Sequence, residues 1–330
     1  MFDKLMNSYY YGKSGKGDYR KEDLPRTRWQ LFWEMLRVRV AGLVRLNLFY
    51  MLIWLPTIIV LMFGTMSLIN IVLPSDEATA DPAAIVEEGE MPSEQVEFSP
   101  EDVTGMVQSV VWLTLVLLIP CITITGPFTA GLSYVTRNWA RDEHAFAFSD
   151  FLDAVKANWK SSLVISFITS MMPLVMYLCW MYYGGLANQN AFMVIPQTVT
   201  VMIGLLWSLA VTYTHPMIVT YQMRLRDVLR NSFLLAIGRL PMSVGIRLLH
   251  CVPVLIAYLF ANLNLIWAIF GLAGYYIILG FGLSRFVTAS YTNGVFDKYI
   301  NSRIEGATVD RGLNTDPEDD EDDEEAEEEE

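Results

Sequence analysis

Six stretches of the chain are continuously apolar, near residues 48–71, 106–127, 162–183, 193–215, 244–263 and 266–284. A helix needs about 20 such residues to cross the hydrocarbon core of a bilayer. None of the six holds an Asp, Glu or Lys. The pattern predicts an all-α, polytopic membrane bundle of about six transmembrane helices. The last two runs meet at Asn262-Leu263-Asn264, which reads as a tight turn at a membrane surface. The fifth run carries Arg247 and His250 near its start, and the fourth ends at His215. Arg247 is expected to snorkel to the interface.

Three other segments have helical periodicity without the length or apolarity of a span. In 26–45, Trp29, Phe32, Trp33, Leu36, Val40 and Leu43 fall on one side, with Gln30, Glu34, Arg37 and Arg45 on the other. Residues 149–160 start at Ser149-Asp150 and carry Phe151, Leu152, Val155 and Trp159. Residues 224–239 carry Leu225, Val228, Leu229, Phe233 and Ile237 among arginines. Such segments read as amphipathic helices in a membrane interface, or as helices packed on the protein's own spans. Each precedes a span that contains a proline: Pro56, Pro173 or Pro253. The order suggests three copies of one unit, namely surface helix, span, hairpin and span.

Charge gives the bundle a direction. Of the 23 Lys and Arg, ten lie in residues 1–45, four in 128–161, five in 216–247 and four from Arg285 onward. Connections 74–105, 184–192 and 262–265 hold none. The positive-inside rule then puts both termini in the cytoplasm, with the protein a multi-pass component of the cell membrane. The net charge of −13 says little about the body, because 316–330 hold thirteen of the 36 acids and leave 23 acids against 23 bases. That tail is expected to be disordered. So is the outer loop 74–105, with ten acids and four prolines. Ser99-Pro100-Glu101-Asp102 ends the loop and reads as a helix N-cap. The expected organisation is a polar cytoplasmic N-terminus over 1–25, a six-span domain over 26–300 and an acidic cytoplasmic tail over 301–330. No cleavable signal peptide is expected, since the first forty residues lack a short apolar core.

One stretch carries a resemblance. Gly126-Pro127 leads into Gly131, Tyr134, Arg137, Arg141 and His144, then Ser149-Asp150-Phe151 and Asn158-Trp159-Lys160. This stretch resembles the YesL-like family of bacterial membrane proteins, a domain of unknown function. Its members are short helical membrane proteins, often encoded near carbohydrate-uptake and polysaccharide-degradation systems. Gly126 and Pro127 are expected to break or bend the second span. Arg137 and Arg141, one helical turn apart, read as a topological anchor or as a face for lipid phosphates or an acidic partner.

The chemistry of an enzyme is not visible. Cys121, Cys179 and Cys251 lie in apolar runs, and His144, His215 and His250 have no metal-binding spacing. No span holds an Asp, no GxSxG occurs, and Gly12–Gly17 lacks the spacing of a phosphate-binding loop. Asn70, Thr123, Thr125, Gln197, Thr198 and Ser208 are uncharged polar residues within spans. They serve helix packing or line a path for a neutral solute. Catalytic, cofactor and metal sites are therefore expected to be absent; the expected partner is the bilayer, not nucleic acid, and the resemblance implies components of a sugar-uptake system of the bacterial cytoplasmic membrane as further partners. The expected role is a non-enzymatic accessory or regulator of carbohydrate uptake. The alternative is a small autonomous transporter or channel for a neutral solute.

Overall fold

The computed structural model describes residues 24–72 and 99–314. Most of the acidic loop and the tail 316–330 lie outside the described residues, as does most of the polar N-terminus. The fold is all-α, and six of its helices are long and apolar enough to span a membrane. Three hairpins follow one another. Helix α1 (Arg28–Val72) pairs with α2 (Pro100–Ala140), and α3 (Ser149–Ala187) pairs with α4 (Val194–Thr220). The third hairpin has more pieces: α5 (Leu225–Gly238), α6 (Leu240–Ala261), α7 (Leu265–Tyr275), a π-helical segment Tyr276–Gly280 and α8 (Phe281–Tyr299).

Two of the three expected surface helices are not separate elements. Residues 28–47 run without a break into the first span as the 45-residue α1, and 149–160 run into the 39-residue α3. At about 1.5 Å per residue, α1 is roughly 67 Å long, about twice a bilayer core. Neither junction holds a proline. Gly42 in α1 serves close packing, since a Cβ there would lie 2.9 Å from the Trp139 ring. The third unit does break. Gly238 ends α5, Arg239 takes a non-helical conformation, and Pro241 sits in the first turn of α6.

The helix-break expected at Gly126-Pro127 is also absent. Helix α2 continues through both residues to Ala140. Around them the hydroxyls of Thr125 and Thr129 bond to backbone carbonyls of their own helix, at 2.8 and 2.9 Å. Neither reaches the Thr123 carbonyl, which Pro127 leaves without its helical donor; proline is nonetheless tolerated in membrane helices that adjust locally around such a gap. What the glycine supplies is proximity: a Cβ on Gly126 would lie 2.5 Å from the Ser162 carbonyl oxygen of α3. Helices α2 and α3 form the most extensive contact in the bundle.

Two terminal signals have the expected geometry. Ser99 accepts from the Asp102 N–H at 3.2 Å, and the Asp102 carboxylate accepts from the Ser99 N–H at 3.1 Å. The turn at 262–264 joins α6 to α7, with Asn264 accepting from the Trp267 N–H at 3.1 Å. Thr123, Thr125 and Thr198 bond to carbonyls of their own helices, and Gln197 reaches the Trp180 carbonyl of α3. These four serve packing.

The core lies toward one end of the bundle, here termed the basic end, where α1 starts and α2 and α8 finish. One apolar cluster gathers Leu43, Leu46, Tyr50, Leu132, Val135, Phe151 and Phe286; a second gathers Ile165, Tyr213, Met217, Val228 and Phe296. At the other end the helices are apolar but exposed, as lipid-facing helices are.

The first residues of the tail expected over 301–330 are folded. Residues 301–314 fold against the basic end, where Asn314 N–H donates to the Pro25 carbonyl at 3.1 Å. The Thr308 carbonyl accepts from Arg141 at 3.1 Å. This segment is short of the acidic run and keeps apolar and hydrogen-bonding groups, with Leu313 packed against the core.

Candidate functional site: a lateral cleft with a cationic floor

Helix α6 buries only Ser243. It is pinned near its start and stands off from α1 elsewhere. The pin is a hydroxyl relay, with Ser243 Oγ 2.7 Å from the Tyr213 hydroxyl and that hydroxyl 2.8 Å from the Tyr291 hydroxyl. Two further ties follow along the helix. Arg247 donates to the Ser208 carbonyl of α4, and His250 Nε2 lies 3.1 Å from the Ser284 carbonyl. Arg247 thus turns into the bundle and does not snorkel as expected. Its partner is the second lone pair of a helix carbonyl, within reach because α4 and α6 approach there.

The stand-off leaves a cavity of 1470 Å³ between α1, α6, the π segment and α8. Its walls are aromatic and aliphatic: Trp29, Phe32 and Trp54 on α1, Leu249 and Pro253 on α6, and Tyr276 and Phe281 opposite. The π segment shapes one wall, and a buried side chain holds it in place. Asn47 of α1 donates to the carbonyls of Tyr276 and Ile277 at 2.9 and 2.7 Å and accepts from the Gly282 N–H at 2.8 Å. A π turn displaces backbone groups from the regular ladder, and Asn47 satisfies three of them. Gly282 allows the contact, because its Cβ position lies 3.1 Å from the Leu43 carbonyl oxygen.

The floor of the cleft is cationic. Arg285 of α8 and His250 line it, Arg285 half-buried. Behind them stand Arg247 and His215, which share a positive field with Arg285. His215 is 3% exposed, and neither ring nitrogen has a hydrogen-bond partner. Arg247 Nε is likewise buried and unpartnered. Among the described residues no hydrogen bond or ion pair engages the Arg285 guanidinium, and no carboxylate pairs with any of the four. An arginine within hydrocarbon costs about 2.5–3.5 kcal/mol even on permissive scales. Here two of them, Arg247 and Arg285, lie close enough to repel each other, with no carboxylate paired to either among the described residues. Guanidinium groups match carboxylate or phosphate oxygens in bidentate geometry.

The residues singled out from the sequence lie elsewhere. Arg141 caps the end of α2, where Asp142 (φ 54°) turns the chain and Glu143 N–H returns to the Asn138 carbonyl at 2.8 Å. Its side chain is buried and lies 3.4 Å from Glu143 and 3.7 Å from Asp297. Arg137 is half-buried and donates to Asn138 Oδ1 at 3.2 Å. The pair therefore faces into the protein and forms no exposed partner face. Asp297 is the hub of this end. It also pairs with Arg28 at 2.9 Å and accepts from Asn301 at 2.6 Å. Burial raises the Tyr221 phenol to about 12, against the pull of Arg137. Tyr221 accordingly stays a neutral donor to Asn301, at 2.7 Å. Arg137 and Arg141 lock the basic end, while Gly126 and Pro127 sit in the α2–α3 contact. None of these four lines the cleft.

From the sequence, Arg285 counts among the charges that set orientation, His215 and His250 have no metal-binding spacing, and Asn47 does not stand out. One signal was available. His215, Arg247, His250 and Arg285 all fall in the basic-end halves of otherwise uncharged spans. As for metals, no group of three or more His, Cys, Asp or Glu among the described residues is placed to hold one.

The fold and the cleft define a polytopic helical membrane protein with a lateral, cation-floored cavity. Residues 106–180, in the second and third helices, match the model described as "Protein of unknown function, DUF624". Over 141 residues the chain is 29% identical to "Uncharacterized protein YesV" of Bacillus subtilis (strain 168), covering 42% of this chain and 66% of that protein. The match thus spans just under two thirds of that relative's length. Both findings accord with the YesL-like resemblance, whose motif at 126–160 falls inside the matched segment. No solved structure matches the chain.

Proposed function

We propose that this protein is a non-enzymatic accessory subunit of a carbohydrate-uptake system in the bacterial cytoplasmic membrane, with its basic end and both termini in the cytoplasm. The observation that carries the reading is an apolar band at the basic end. Trp29 and Trp33 on α1, Phe148 and Trp159 around the start of α3, and Leu234 and Ile237 on α5 are all more than 45% exposed. They belong to helix portions that exceed the length a bilayer core requires, as roughly 20 residues suffice to span it. Such a band suits a lasting contact with another membrane protein at the interface level. The YesL-like resemblance supplies the carbohydrate context. Lys and Arg segregation supports the orientation.

The test is purification of the tagged full chain in mild detergent, with identification and quantification of co-eluting proteins. A sugar permease subunit recovered at a fixed stoichiometry, and lost on changing Trp29 and Trp33 to Ser, is the expected result. The competing reading is an autonomous carrier for a neutral solute. It draws support from the tyrosine hydroxyls of Tyr50, Tyr275, Tyr276 and Tyr291 along the cleft. Solute uptake by liposomes holding this protein alone would replace the accessory role with that one.

A further inference from the structure

We propose that the lateral cleft is a binding site for one anionic glycerophospholipid, its phosphate on Arg285 and its acyl chains along the aromatic and aliphatic wall. The first ground is charge. Arg28, Arg239, Arg285 and Lys298 line the cleft, against only Asp297 and Asp310. Both acids are engaged by Arg28, and Asp297 also by Arg141. Arg239 is directed to the Tyr299 hydroxyl at 3.1 Å. Arg285 is left without a partner among the described residues, and the charge of Arg247 adds to its own. The site therefore lacks a negative group at one defined place.

The second ground is shape and access. The cleft runs between α1 and α6, whose outer faces are exposed and apolar, so that it communicates sideways with the bilayer. Its 1470 Å³ exceeds the range of about 300–1,000 Å³ usual for small-molecule pockets. A sugar or a free phosphate would leave most of the apolar wall uncovered. A two-chain amphiphile covers the wall and brings a phosphate at the level of the arginine. Tryptophans at the basic end (Trp29 and Trp33) suit headgroup depth. Basic pockets between membrane helices on the cytoplasmic side are a recurrent setting for anionic headgroups. Asn47, through the π segment, holds Tyr276 and Phe281 in the wall and so presets the groove before a lipid arrives.

Native mass spectrometry of the full chain tests this, with equimolar phosphatidylglycerol and phosphatidylcholine offered in mild detergent. One phosphatidylglycerol per chain is expected, preferred at least tenfold over phosphatidylcholine. Arg285→Gln should bring the preference below about twofold, while Arg226→Gln, on the exposed side of α5, should leave it unchanged. Leu249→Trp, which fills the cleft and keeps Arg285, should lower occupancy of both lipids. It decides the matter if the arginine variant does not fold. Glycerol 3-phosphate at millimolar concentration should not displace the lipid. Displacement would assign the site to a soluble phosphate and overturn the proposal. Equal retention of the two lipids by the wild type, an unaltered preference in a folded Arg285→Gln chain, or unaltered occupancy in Leu249→Trp would also overturn it. Wild-type chains that keep neither lipid would leave the cleft to a partner helix and end the lipid assignment. The co-purification experiment is independent, since a lipid-selective cleft is compatible with either presence or absence of a permease partner.

Discussion

Asn47 forms hydrogen bonds with backbone groups that follow it by 229, 230 and 235 residues. Its removal leaves two carbonyls and one N–H without a partner in a buried place. Each such group costs about 1–3 kcal/mol. Asn47→Leu is therefore expected to lower the thermal midpoint of the detergent-solubilised protein by several degrees, followed by tryptophan fluorescence. An unchanged midpoint would show that water or the π segment itself supplies the partners. At the basic end, Arg141→Gln should cost about 1–3 kcal/mol, since it removes the donor to the Thr308 carbonyl and one of the two cations at Asp297, which keeps Arg28. The loss should appear as lowered stability and easier proteolysis after residue 300, with membrane insertion intact. Proteolysis at the wild-type rate would argue that Arg28 alone restrains the segment. These residues were hard to read in the sequence for a physical reason. In an interface helix, polarity marks the outward face. In a membrane helix every face is apolar, and the phase that would point Asn47 or Arg285 inward is missing. Arg137 and Arg141 were legible as a spaced pair, but spacing does not report that Asp297, from the far end of the chain, comes to meet them.

At the scale of elements, much more was legible. The six spans, the Ser99 cap and the 262–264 turn follow from local rules of run length, capping and turn chemistry. Helix continuity does not. The amphipathic segment and the span in α1 have distinct patterns, yet the backbone has no reason to stop between them, and so it continues. Only Gly238 and Pro241 supply a stop, and only there does a separate helix form. The Gly126-Pro127 pair misleads in the opposite sense, since its glycine serves contact and its proline is tolerated. Gly126→Leu is expected to force α2 away from α3, because a Cβ alone would meet the Ser162 carbonyl at 2.5 Å and the Ser166 hydroxyl at 2.6 Å. Overpacking of this kind costs about 1–3 kcal/mol or more. Pairs of cysteines on the two helices should crosslink less efficiently in this variant. Gly105, with open space around it, is the control, and Gly105→Leu should leave crosslinking unchanged.

At the scale of the whole molecule, orientation is the property most open to a direct test. Single cysteines would be placed in a chain whose Cys121, Cys179 and Cys251 are replaced. A cysteine at position 85 should react with an impermeant reagent in intact cells, whereas one at His144, which is exposed, should not. Ala145 is unsuitable, being buried. Labelling at 144 from outside would invert the bundle and place the basic end on the outer face.

The reach of Asn47 also sets a timetable for biogenesis. Helix α1 leaves the ribosome first, and its carboxamide partners leave almost last. At synthesis rates of about 5–20 residues per second, the interval is roughly 10–50 s. Through that time the first helix sits in the membrane with an amide unanswered, and the early hairpins can assemble only part of the core. The third hairpin therefore acts as the latch of assembly: until the π segment and α8 arrive, the Asn47 contacts that tie α1 to them cannot form.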